Sequence, residues 1–193
     1  MFTSVFRILT AAVVAGIALY PSAASAAELQ PGTPTYFFSS TPSGSDPNTT
    51  VTFAVTTGAL SMTAPVSANL GAGAPGTTIS GALGTVTVTD DRALLSASWT
   101  ATASATDWTT GGGTPAETIP VTDVGYDPGA ITTTGTITAT GTPITMAHSA
   151  APVVTGDSGV GNNTATWNPA IAVAVPASAV GGLYTGTITQ SVA

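Results

Sequence analysis

The chain has no cysteine, no lysine and a single histidine, His148. Without thiols it forms no disulfides, so a packed core has to carry its stability. Lipidation at a mature N-terminus is excluded for the same reason. The two arginines, Arg7 and Arg92, face nine acidic residues, and the formal net charge is −7. A surface of that sign repels phosphate backbones and anionic lipid, so nucleic acid is not an expected partner.

Catalytic groups are equally scarce. His148 has no second histidine or cysteine beside it, and Ser149 is too close in sequence to hold triad geometry. Asp90, Asp107, Glu117, Asp123 and Asp127 could supply a glycosidase pair, but that chemistry depends on a separation in space, and acidic turn residues are the plainer reading. The stretch from Asp157 to Asn163 offers oxygen ligands and glycines, without the spacing or closing glutamate of an EF-hand loop. The sequence therefore predicts a non-enzyme, with no catalytic residue, no metal and no cofactor.

The N-terminus has the parts of a secretory signal. Arg7 supplies positive charge, Ile8 to Leu19 is a short apolar run, and Ala24-Ser25-Ala26 is a small-residue cleavage site. A bilayer span takes roughly 20 apolar residues, so this run is short for an anchor. Residues 1–26 are expected to be removed on export, with no membrane insertion afterwards. The expected location is extracellular, secreted and associated with the cell wall. No sortase-type sequence occurs, so attachment to a cell is expected to be non-covalent.

Residues 27–48 read as a leader rich in Pro, Gly, Ser and Thr, with an edge strand expected at Thr35–Phe38. Residues 49–193 read as β throughout. Val51, Phe53 and Val55 alternate with small or hydroxyl residues, as do Leu60 and Met62, then Val86 and Val88. From Leu95 to Ala105 the odd positions are apolar and the even ones carry hydroxyls. A period of two puts one face on a core and the other in water. Further strands are expected at Ile131–Thr140, Thr166–Val175 and Leu183–Val192. Turn clusters fall at 71–76, 111–113, 127–129 and 157–163. Short strands punctuated by Gly and Pro predict an all-β fold, a single antiparallel β-sandwich of roughly eight to ten strands.

Few aromatics make each one informative. Trp99 is in phase with the apolar face of its strand and is expected in the core, where its burial removes roughly 150–250 Å² from water. Trp167 has similar status. Trp108 follows the expected end of that strand and is the tryptophan expected at the surface, in contact with a sugar or partner. Arg92 shares a strand face with Asp90, while Asp91 points the other way. That spacing predicts a local ion pair; the functional reading is recognition of an anionic group on a wall polymer. Tyr184, Ile188 and Val192 are expected to face the core, with Gln190 on the same side needing a backbone partner or an open rim.

Two groups of segments resemble WxL-type surface domains. Val88-Thr89-Asp90-Asp91-Arg92, Trp99-Thr100-Ala101 and Thr106-Asp107-Trp108 are similar to that family's first half. Val175-Pro176 and Gly182-Leu183-Tyr184-Thr185-Gly186-Thr187-Ile188-Thr189 are similar to its close. The resemblance covers most of residues 50 to 193 and is nearest to small secreted actinobacterial proteins. Alanine stands at 101 where the family has leucine, and Gln190-Ser191-Val192 replaces the second Trp-x-Leu. The resemblance implies a β-sandwich exported by a Gram-positive bacterium and held non-covalently on peptidoglycan or another cell-surface glycan or protein. Two other roles fit the residues: a structural subunit of a homo- or hetero-assembly, and a carbohydrate-binding module.

Overall fold

The alternating Val86–Ala105 stretch folds as one 20-residue strand and organises everything else. The computed structural model describes residues 49–193. The export signal, the leader and the Thr35–Phe38 strand lie outside the described residues. Twelve strands follow in chain order: β1 (Leu60–Thr63), β2 (Thr78–Ala82), β3 (Val86–Ala105), β4 (Trp108–Thr109), β5 (Thr118–Ile119), β6 (Val124–Asp127), β7 (Ile131–Thr134), β8 (Thr138–Gly141), β9 (Ile144–Thr145), β10 (Ala151–Trp167), β11 (Ala170–Ala174) and β12 (Ile188–Val192).

All pairings are antiparallel, and the sheets pack as a β-sandwich. In the larger sheet β10 lies along one edge of β3, while β1 and β12 share the other; β7 and β8 line the far side of β10. The smaller sheet runs β2-β11-β6-β9, and β4 and β5 form a separate ribbon. The buried faces meet in one core containing Trp99, Tyr126, Met146, Trp167 and Ile171. Among the described residues no helix is long and apolar enough to cross a membrane.

The β3 strand changes phase along its length. Val86, Val88 and Asp90 are buried at its start, and Ala97, Trp99, Ala101, Ala103 and Ala105 at its end. Even positions thus give way to odd ones. One bulged residue turns later side chains to the opposite face. Ala93 has a positive φ of 52°, and the pairing with β10 shifts register three times between Gly156 and Asn163. Leu95, expected on the apolar face, lies inside this irregular stretch and is exposed. The ribbon also bends there: β1 and β12 touch, although they pair with opposite ends of β3.

Several expected boundaries move. Val51, Phe53 and Val55 form no strand and are exposed. The segment leaves the sheet where Gly58 donates to the Asp91 carbonyl, just before the β3 bulge, and no regular edge continues there. Residues 131–140 split into β7 and β8 around Gly135, whose φ is 82°. Thr166–Val175 splits at Asn168-Pro169, where the chain crosses from β10 in the larger sheet to β11 in the smaller. Proline lacks the N–H a continuing ladder needs. Asn168 Oδ1 and the Pro169 carbonyl instead accept from the N–H groups of Gly84 and Leu83. The 157–163 stretch, expected as a turn, lies within β10. The last strand shortens to β12.

Candidate functional site

The Asp90 carboxylate is buried, which is costly for a charge unless paired. Arg92 supplies the pair: its Nε and Nη2 reach the two carboxylate oxygens at 2.8 Å each, and its backbone N–H reaches Oδ1 at 3.2 Å. These hydrogen bonds hold the Asp90 carboxyl below its ordinary range. Nη2 also donates to the Ser98 carbonyl at 2.8 Å, spanning the bulge. The guanidinium fork is thereby turned toward its own strand. Cross-strand from Asp90 sits Asn163. Asn163 Oδ1 accepts from the N–H groups of Thr136 and Ile137, and its Nδ2 donates to Gly161. Asn163 therefore ties the β7–β8 turn to β10.

Trp108 is half-buried rather than freely exposed. The β4–β5 pairing places it opposite Ile119. Gly186 lies against one face of its ring, where a Cβ would stand 2.6 Å from the indole. The Gly186 segment is fixed there by a bridge in which Thr109 and Thr185 exchange backbone hydrogen bonds of 3.1 and 3.0 Å. Tyr184 beside it donates toward the carbonyls of Ala116 and Val180.

Trp108 and Tyr184 border a cleft of about 740 Å³. Its walls come from the 64–75 segment, the edge of β2, the β11 end at Val173 and Val175, and the 179–190 segment. Leu70, Ile79, Leu83 and Ile188 make it apolar, while Asn69, Thr185, Thr187 and Gln190 contribute hydroxyls and amides. Among the described residues no Asp, Glu, His or Arg lines it. Such a surface can pack and hydrogen-bond a neutral ligand.

Gln190 at the floor takes part in a chain that the sequence did not reveal. Trp167 Nε1 donates to the Tyr126 hydroxyl at 3.0 Å, and that hydroxyl donates to Gln190 Oε1 at 2.9 Å. The partner Gln190 needed is therefore a tyrosine hydroxyl, not the backbone. Burial pushes the Tyr126 hydroxyl up to about 12.

The remaining acids are spread out. Glu117 accepts from the N–H and hydroxyl of Thr114, which hold its carboxyl below the usual range. Asp107 accepts from the Val121 N–H and lies 3.3 Å from the exposed His148 ring. Asp127 closes a turn onto Gly129. Among the described residues no cluster of three or more His, Cys, Asp or Glu could hold a metal ion.

The fold brings the Trp99–Ala101 and Gln190–Val192 segments together. Val192 pairs with Ala101, Ser191 with Thr102 and Gln190 with Ala103 across one ladder. Trp99 is buried below them, against Gly156. Sequence reasoning missed the 64–75 wall, which carries no alternation. No family model, curated protein or solved structure matches this chain.

Proposed function

We propose that this is a secreted, non-enzymatic cell-surface protein that associates non-covalently with the bacterial cell wall. The observation that carries this reading is the Trp108 cleft, concave and lined by apolar, hydroxyl and amide groups without a charged side chain. Neutral aromatic-lined clefts suit ligands with apolar faces and hydroxyls, as the sugars of peptidoglycan have. The export-type N-terminus and the adjacency of the WxL-like segments support the same reading. A pull-down on purified peptidoglycan tests it. Wild type is expected to be enriched over a control protein of equal charge, and Trp108→Ala to lose the enrichment while keeping its far-UV circular dichroism and cooperative unfolding. Equal recovery of wild type and control sinks the wall-binding reading.

A second reading, a subunit of a surface assembly, is favoured by a different observation. The strand-like Val51–Val55 stretch presents its apolar side chains to solvent, with no strand beside it among the described residues. Sizing chromatography at increasing concentration tests that reading, and a monomer at every concentration removes it.

A further inference from the structure

Residues 49–57 combine a strand's sequence with the absence of a strand's partner among the described residues. Val51, Phe53 and Val55 are 80%, 88% and 76% exposed, and they fall on one face of an extended chain. Thr52, Thr56 and Thr57 add the β-branching that favours strands. An exposed apolar alternation with unpaired backbone is a template for pairing with another chain.

The cleft is the complementary feature. It opens between β2, whose outer edge has no strand beside it among the described residues, and the Tyr184–Gln190 segment. Exposed Leu183 and Val180 stand at its rim. An extended segment of nine residues is about 30 Å long. Phe53 offers roughly 150–250 Å². With the two valines and the wall they cover, the contact comes to roughly 1,000 Å², the lower limit of a specific interface.

Charge and direction select the occupant. Copies of an acidic chain repel one another, but neither residues 49–57 nor the cleft lining carries a charged side chain. Their contact therefore desolvates no charge. Within one copy, β1 runs from Gly58 toward the cleft wall that begins at Ala64, so the segment before Gly58 leads away from its own cleft.

We propose that residues 49–57 of one copy dock by strand addition into the Trp108 cleft of a second copy, building a head-to-tail assembly. This deepens the assembly reading and rests on it. Salt strengthens the contact, because it screens the repulsion between acidic surfaces without touching the neutral interface.

The absence of native cysteine gives a clean experiment. Purified Phe53→Cys chain mixed with Leu183→Cys chain is expected to form a disulfide-linked dimer under mild oxidation, well above either chain alone. In sizing chromatography Phe53→Asp is expected to raise the concentration for half-assembly at least tenfold. Wild type that stays monomeric at all concentrations and salt levels removes the assembly reading and this inference together. Wild type that assembles, with Phe53→Asp assembling equally well, leaves the assembly reading standing and overturns the docking. A Phe53→Cys/Leu183→Cys double variant that cross-links only within single molecules overturns the second copy as occupant.

Discussion

Tyr126 in the smaller sheet donates its hydroxyl to Gln190 in the larger one, 2.9 Å away. The same oxygen accepts from Trp167, which returns the chain of hydrogen bonds to the larger sheet. Tyr126→Phe removes both bonds and leaves the indole N–H unpartnered in the core. Buried donors left unsatisfied cost about 1–3 kcal/mol. Chemical denaturation is expected to show a loss in that range with an unchanged denaturant slope.

The same hydroxyl sets the alkaline limit. Its pKa rises from near 10 unfolded to about 12 folded, so the protonated form is the one the fold favours. That contribution is complete below pH 10 and is lost as pH rises through about 12. At roughly 1.4 kcal/mol per unit the loss is on the order of 2–3 kcal/mol. Melting temperature followed from pH 9 upward is expected to fall over this window, and Tyr126→Phe to flatten that part of the profile.

Arg92→Ala leaves a buried carboxylate without its cation. Breaking a fully buried pair costs about 3–5 kcal/mol, and the partial exposure of Arg92 places this one lower, at about 2–3 kcal/mol. Asp90 has a depressed pKa, so its contribution is present above the unfolded carboxyl range and is lost as pH falls through the folded value. Wild type is expected to lose stability on acidification in this window, and Arg92→Ala to show a weaker or reversed dependence. An unchanged acid profile would count against the pair as a structural tie.

Gly156→Ala places a methyl group against a wall that cannot yield. The added Cβ would lie 2.4 Å from the Trp99 indole, which is buried between the sheets. Overpacking of this kind costs about 1–3 kcal/mol. The expected signature is a lower denaturation midpoint with altered tryptophan fluorescence. Gly181→Ala, where the Cβ would meet nothing, is the matched control.

The all-β architecture was legible because alternation at Leu60–Met62, Val86–Val88 and Ala97–Ala105 is a local signal, and those residues are strands. The Asp90–Arg92 pair was legible for the same reason, two residues apart on one strand. Phase changes are not local. Nothing in Arg92-Ala93-Leu94-Leu95 announces a bulge, so Leu95 was placed on the wrong face. Val51–Val55 alternates as well as any strand and forms none, because pairing depends on an available edge. Asp157–Asn163 has the composition of a turn, yet it runs within β10, where Gly159 gives room to Ala97 of β3. The cleft was legible only through Trp108. Its 64–75 wall carries no alternation and is placed by tertiary packing, as where Leu70 lies against Gly81.

The reversal of phase in β3 also governs how this chain can vary in length. An odd number of steps separates Asp90 from Trp99, and an odd number separates their partners Asn163 and Gly156 on β10. Curvature is thus written as parity on two strands at once. Losing one residue from either strand puts the pair out of step and turns one half of the core outward. Losing one from each restores an even count, keeps every buried face buried and flattens the ribbon. Such a paired deletion would keep the fold while loosening the contact between β1 and β12.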